Sequence, residues 1–302
     1  MKKILAMILV ISLLFTAGCG VATTEGTDDS VIAVSFYPIY IFTLNLVDGI
    51  EGVTVKCMAE QSTGCLHDYT LSARDAKLLS DAELFIINGA GLESFMDDIS
   101  EAVGDLPVID SSVGIELICS HNDDHEEEHG HNHENNSHIW LSVENAKKQV
   151  LNIKNGLVAS YPQYEEQINK NYEGYIERLN ELSLQLAENY QMVQGKEIIT
   201  FHGAYEYMAA ESGFVVSECI ESDEGAEPSA KRIAHLCDVI PQKNIKALFV
   251  EPDYSGSAAE ILAAETGVQI YVLNPVTEGE NTLTAYEDIM KQNIQTILKA
   301  VS

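Results

Sequence analysis

Short runs of β-branched and aromatic residues recur along the chain, separated by stretches whose apolar residues return every three or four positions. In the first half the runs are Val31–Phe36, Val53–Met58, Leu84–Asn88 and Val108–Asp110. Between them, Ile39–Val47 keeps helical spacing, Ser72–Ser80 opens on a capping residue, and Glu93–Val103 follows the break at Gly89-Ala90-Gly91. The second half repeats the order. Strands are expected at Glu197–Phe201, Phe214–Ile220, Ala247–Val250 and Gln269–Leu273, and helices at Tyr205–Ser212, Ser229–Ile240, Ser257–Thr266 and Ala285–Val301. Nearly continuous apolar strands alternating with helices predict an α/β chain of two lobes, each a mainly parallel four-stranded sheet with helices on its faces.

One segment between the halves follows another rule. After Pro162, apolar or aromatic residues fall at Tyr164, Ile168, Tyr172, Tyr175, Leu179, Leu182 and Leu186, which places them on a single helical stripe. No proline interrupts residues 163–194. At about 1.5 Å per residue such a helix is about 45 Å long, more than the width of a small domain. It is expected to run along both lobes and limit their hinge motion, although a helix confined to one lobe has the same pattern. The expected organisation is a first lobe over 31–160, a linking helix over 161–194 and a second lobe over 195–302.

The N-terminus has a different character. Met1-Lys2-Lys3 precedes an apolar run over residues 4–15, shorter than the about 20 residues a bilayer span needs. A basic start, a short apolar stretch and small residues before a cut describe a secretory signal over residues 1–18. Cys19 directly after Ala17-Gly18 resembles a bacterial lipoprotein box, although Thr16 stands where Leu is commoner. That resemblance implies lipid transfer to Cys19, a polar tether over residues 19–30, and a chain held at the outer face of the cytoplasmic membrane. Disulfides are permitted there. Beyond Cys19 the cysteines are Cys57, Cys65, Cys119, Cys219 and Cys237, an odd number. Cys57 and Cys65 are close enough in sequence to clip one loop, and free thiols are the simpler expectation.

Charge narrows the partners. The chain has 17 Lys and Arg against 47 Asp and Glu, a formal net charge of −30. A surface that tracks nucleic-acid phosphates needs clustered Lys and Arg, so nucleic acid is not an expected partner. Self-repulsion favours a soluble monomer, and the field favours cations.

The nine histidines divide unevenly. His121, His125, His129, His131 and His133 lie in an acid-rich stretch over 121–137, whereas His67, His138, His202 and His235 stand apart. His67 follows the second expected strand, His138 opens Ile139-Trp140-Leu141-Ser142 at a helix start, and His202 comes directly after Ile198-Ile199-Thr200-Phe201. In open α/β sheets ligands collect beyond the carboxyl ends of strands. Three imidazoles delivered there from both lobes would suit zinc, with a carboxylate or water completing the tetrahedron. Each histidine taken singly also reads as an ordinary surface or capping residue. His235 falls in an amphipathic helical pattern and keeps that reading.

The words around these histidines are more specific. Gly64-Cys65-Leu66-His67-Asp68-Tyr69, then Leu71-Ser72-Ala73-Arg74-Asp75 and Ile87-Asn88-Gly89-Ala90-Gly91-Leu92-Glu93, resemble the first metal-ligand region of the zinc and manganese substrate-binding lipoproteins of bacterial ABC importers. His138-Ile139-Trp140-Leu141-Ser142 resembles that family's second ligand motif, and Phe201-His202-Gly203-Ala204-Tyr205 its third. Glu227-Pro228-Ser229, Phe249-Val250-Glu251-Pro252 and Leu273-Asn274-Pro275 are similar to signatures of its second lobe. The resemblance covers residues 31–302. It implies two (β/α) lobes joined by one long helix, a divalent metal in the cleft between them, and delivery of that metal to a membrane permease driven by an ATPase. By the same resemblance His67, His138 and His202 become ligands, and the histidine-rich insertion before the second of them points to Zn(II) over Mn(II).

The fourth ligand departs from the family pattern. Relatives place a carboxylate near the end of the last strand, where this chain has Leu273-Asn274-Pro275-Val276-Thr277-Glu278. Glu278 is the nearest acid, one residue out of step, and a water is the alternative. Asp68 is a candidate partner for orienting an imidazole. The stretch 121–137 lacks the apolar residues needed to bury itself; its five imidazoles fit weak, varied metal binding, as a collector for the cleft, as a sensor of excess zinc, or as a solvated loop without a role. A zinc hydrolase built on these ligands is a second function class, but the chain has no His-Glu-x-x-His or Gly-x-Ser-x-Gly word. A surface adhesin on the same fold is a third, with no partner-binding signature to support it.

Overall fold

The computed structural model describes residues 29–59, 69–96, 99, 104–119, 135–220, 228–254 and 256–302. The expected signal segment, Cys19, Cys65, His67, Asp68, the five histidines of residues 121–133, Glu227 and most of the helix expected over 93–103 lie outside the described residues.

In the first lobe β1 (Ser30–Val34), β2 (Val53–Cys57), β3 (Leu84–Ile87) and β4 (Val108–Asp110) alternate with α1 (Tyr37–Val47) and α2 (Ala73–Asp81). They form an all-parallel sheet in the order β2-β1-β3-β4. The second lobe has β5 (Glu197–Thr200), α5 (Glu206–Ser212), β6 (Val215–Cys219), α6 (Ala230–Gln242), β7 (Ala247–Val250), α7 (Ala258–Thr266) and β8 (Gln269–Val272). Its sheet is also parallel, in the order β6-β5-β7-β8. Joining the sheets are α3 (Val143–Ser160) and α4 (Glu165–Val193), and α8 (Ala285–Val301) closes the described chain.

The two-lobed α/β expectation therefore stands, as does the long connecting helix. At 29 residues α4 is about 43 Å long, and its buried side chains Ile168, Tyr175, Leu179, Leu182 and Leu186 belong to the expected stripe. Helix α1 begins at Tyr37, before the expected Ile39, because Pro38 supplies a first-turn φ at no hydrogen-bonding cost. Helix α3 was expected only at its start. Its buried positions Val143, Ala146, Val150, Ile153 and Leu157 repeat at helical spacing, so its full length was legible in the sequence. Ser72 caps α2 by accepting from the Asp75 amide, while Asp75 reaches back to the Ser72 amide.

Because alternate strand residues face opposite ways, each sheet serves two cores. On the inner side, Ile32, Val34, Leu84 and Ile86 of the first lobe join Ile198, Ala247 and Phe249 of the second in one apolar cluster with the buried stripe of α4. On the outer sides, Ala33, Phe85 and Ile87 pack with Leu79, and Ile199, Leu248 and Val250 pack with Leu236 and Leu262, in two separate clusters. Helix α4 packs on α1, α3, α5 and α8, so elements of both lobes share its surface. Arg178 adds polar ties at its middle: Nε donates to Glu287 Oε1 of α8 at 2.9 Å, and Nη2 donates to Asn45 Oδ1 of α1 and to the Leu283 carbonyl.

In both sheets the chain first pairs to one side of the starting strand and then crosses to the other, which makes β1 and β5 the strands where the winding switches. Ligand crevices open at the carboxyl ends of such strands. His202 stands two residues beyond the end of β5.

Candidate metal centre

Among the described residues, His138 and His202 are brought together. Their Nε2 atoms are 3.0 Å apart, and the rings meet edge to face with centroids 4.9 Å apart. In a tetrahedral zinc site with Zn–N bonds of about 2.0–2.1 Å, two ligand nitrogens stand about 3.3 Å apart. The pair is therefore almost at ligand spacing, with one ring carried by the segment that leads into α3 and the other by the end of β5.

The His138 segment is held from several directions. Asn135 forms an antiparallel bridge with Cys119, and the Asn136 amide donates to the Ile118 carbonyl at 2.8 Å. The His138 amide donates to Asn136 Oδ1, which also lies 2.9 Å from the ring Nδ1 of His138. A 3₁₀ turn over Ile139–Leu141 follows, and Ser142 caps α3 by accepting from the Asn145 amide. Within the turn, Trp140 is fully buried. Its ring stands edge-on to Phe36 at 4.8 Å and its Nε1 donates to the Pro275 carbonyl of the second lobe at 2.7 Å. Tyr286 of α8 donates to the Trp140 carbonyl.

Beneath that segment lies a polar layer built from the Asn88-Gly89-Ala90-Gly91-Leu92-Glu93 word. Asn88 Nδ2 donates to the Ser137 carbonyl at 3.0 Å, and Asn88 Oδ1 accepts from Gln149 Nε2 of α3. The carboxyl of Glu93 accepts from the Asn88 and Gly89 amides. Burial pushes its pKa up to about 7, against the opposing pull of the hydrogen bonds from those amides. Gly89 has φ +78° and approaches Asp110 so closely that a Cβ would lie 1.9 Å from Oδ1, so no other residue fits there.

His202 is half-buried, while His138 is almost fully buried. The strand end beneath His202 is fixed by the Phe201 amide, which donates to the Phe249 carbonyl at 2.8 Å. Tyr205 anchors the following turn by donating to the Leu273 carbonyl. Burial first, and then the charges of Glu251 and Asp253, hold the Tyr205 phenol well above its ordinary range, so it remains a donor.

Glu278 is half-buried and its backbone carbonyl accepts from Asn274 Nδ2 at 3.0 Å. The other end of that amide, Oδ1, accepts from the Val276 amide at 2.7 Å, across a turn in which Val276 takes φ +63°. Asn274 thus holds the turn together. Among the described residues no group of three His, Cys, Asp or Glu side chains is arranged to hold a metal ion, so Glu278 does not join the histidine pair there. The segment containing His67 leaves the described chain after Ala59, whose amide donates to the Ser35 carbonyl. Ser35 precedes Phe36, the residue packed on Trp140.

Cys57, Cys119 and Cys237 are free thiols. Burial pushes the Cys57 thiol up to about 12 and leaves it an inert packing group. His235 is exposed on α6. Asn136 and Trp140 were given no role from sequence alone, though an Asn two residues before a candidate ligand is a recognisable signal for side-chain capture of the backbone.

Residues 32–300 match the family described as zinc-uptake complex component A, periplasmic. The chain belongs to this family. The zinc-binding protein AdcA of Streptococcus pyogenes serotype M3 is 32% identical over 319 aligned residues, covering 98% of this chain and 61% of that protein. The chain therefore spans less than two thirds of that relative's length. The high-affinity zinc uptake system protein ZnuA of Bacillus subtilis is 30% identical over 299 residues, covering 94% of this chain and 93% of the relative. A crystal structure of ZnuA superposes with a TM-score of 0.78 at 27% identity, covering 91% of this chain and all of that one. Among the described residues no helix is long and apolar enough to cross a membrane.

Proposed function

We propose that the chain is an extracytoplasmic receptor that captures Zn(II) in the cleft between its lobes and delivers it to an ABC importer. The observation that carries this reading is the approach of His138 and His202, one from each lobe, with their Nε2 atoms 3.0 Å apart. His67, which follows β2 in the sequence, is the third ligand. The fourth position is filled by a water, since Glu278 does not join the described pair. Nitrogen ligands favour zinc over manganese, which prefers oxygen-rich shells. Zinc is the cargo, so release matters as much as capture, and the protein is a carrier with no catalytic step of its own.

The chain is held at the outer face of the cytoplasmic membrane by lipid on Cys19 and hands its metal, as a monomer, to a permease and its ATPase. His121, His125, His129, His131 and His133 collect zinc for the cleft, since weak and interchangeable ligands beside a tight site raise the local metal concentration. Ligation requires unprotonated imidazoles, so affinity falls as the pH drops below about 6.5.

The test is zinc titration of metal-free protein against a chromogenic chelator, with elemental analysis of protein purified without added metal. One zinc per chain is expected. His67→Ala, His138→Ala and His202→Ala should each weaken binding by more than about 100-fold, beyond the 10–100-fold usual for groups that only orient a ligand. Wild-type affinity in any of the three removes that residue from the site. Deleting residues 121–134 should slow uptake only at limiting zinc.

A further inference from the structure

Asn136 touches His138 with one end of its amide and the residue directly after His202 with the other. We propose that Asn136 is the positioning residue of the metal pair: it fixes the His138 ring in the one neutral tautomer that ligates through Nε2, and it ties that ring to the strand end bearing His202. The proposal rests on His138 being a zinc ligand.

The orientation of the Asn136 amide follows from its backbone partners. Its Oδ1 faces the His138 N–H at 2.9 Å, a group that can only donate. Its Nδ2 faces the Gly203 carbonyl at 2.7 Å, a group that can only accept. The amide is thus assigned at both ends by main-chain chemistry rather than by choice. Because Oδ1 is an acceptor, the His138 Nδ1 that lies 2.9 Å from it must carry the ring proton. Nε2 then presents its lone pair, in the direction of His202 Nε2.

The same amide reaches the second lobe twice. Besides the Gly203 carbonyl, directly after His202, Nδ2 donates to Glu206 Oε2 at 2.7 Å. Glu206 is buried in the first turn of α5. A carboxylate, an amide and an imidazole therefore form one chain of hydrogen bonds. Its charge polarises the amide, which draws on the Nδ1 proton and makes Nε2 a better donor of electrons to a metal.

The main chain of Asn136 has its own anchors. Its N–H donates to the Ile118 carbonyl, and its carbonyl accepts from the Tyr207 hydroxyl at 2.7 Å. Removing the side chain leaves both in place, so Asn136→Ala is expected to fold.

The experiment uses the full chain, free of metal and then titrated with zinc alone. Nitrogen-15 NMR of the histidine rings should find His138 protonated on Nδ1 in the wild type, a readout that general loosening of the fold does not mimic. In Asn136→Ala the ring should interconvert between tautomers and zinc affinity should fall about 10–100-fold. Asn136→Asp, which keeps an oxygen beside Nδ1, should retain the wild-type tautomer. Glu206→Gln should weaken zinc by less than about 10-fold, since it removes charge but leaves an acceptor. A wild-type His138 protonated on Nε2, or an Asn136→Ala protein with unchanged tautomer and affinity within twofold, overturns the proposal whatever any other variant does. If His138→Ala abolishes tight binding while Asn136→Ala does not, only the positioning role falls. If His138→Ala binds zinc like the wild type, the metal reading itself falls.

Discussion

The inner and outer faces of the two sheets are built alike but do different work. Each outer face packs against helices of its own lobe, Leu79 on the first sheet and Leu236 with Leu262 on the second. The inner faces meet in one cluster that includes α4, Trp140 and Tyr286. Separating the lobes by a wide hinge would expose that shared core to water at about 25 cal/mol per Å² of apolar area. The outer clusters impose no such constraint. The comparison teaches that a frame joined through its inner faces favours small movements between the lobes over wide ones, with His138 and His202 held close together.

The largest effect is expected at the contact between the lobes. Trp140→Ala removes a fully buried ring and the donor to Pro275, and should cost about 3–5 kcal/mol. Denaturant unfolding followed by two probes, one in each lobe, should show a single shifted transition. Leu236→Ala in the outer cluster should lose about 2–5 kcal/mol while leaving zinc affinity unchanged. Two separate wild-type transitions would break the comparison.

Next comes the pH dependence set by Glu93, where burial raises the carboxyl from an ordinary 4.5 to about 7. A raised acid contributes stability that is complete below its unfolded pKa and lost as pH rises through the folded one. Metal-free protein should therefore lose a few kcal/mol, about 1.4 per unit of pKa, between pH about 4.5 and 7 through this group. Glu93→Gln should flatten that slope, measured by unfolding at a series of pH values.

Arg178→Ala should follow at about 2 kcal/mol. It strands the buried Glu287 carboxylate, but Arg178 is itself more than a third exposed, which moderates the loss. The change weakens the join between α4 and α8 and should leave the outer clusters intact, as hydrogen exchange would report. Smallest is Ser72→Ala, which breaks the capping box of α2 on the outer face and should cost about 1 kcal/mol. Its effect on zinc affinity should be nil.

Much of the frame was legible because it is local. All eight described strands lie within a residue or two of the apolar runs expected for them, and the stripe from Ile168 to Leu186 marked the buried side of α4. Helix α3 is legible over its whole length in the spacing of Val143, Ala146, Val150, Ile153 and Leu157. The site was legible in part. His138 and His202 were singled out as residues that follow strands or open helices, and the resemblance of their flanking words joined them to His67.

What the sequence by itself determined was the order of strands and helices, the side of each that seeks burial, and the residue types able to bind a metal. These follow from periodicity and side-chain chemistry, which act over a few neighbouring positions. Only the tertiary structure decided which groups meet: His138 with His202 across 64 positions, Asn136 with Glu206 across 70, and Trp140 with Pro275 across 135. The reason is physical. A hydrogen bond depends on atoms within about 3 Å of each other, and over such separations that closeness is set by how the two sheets pack around α4.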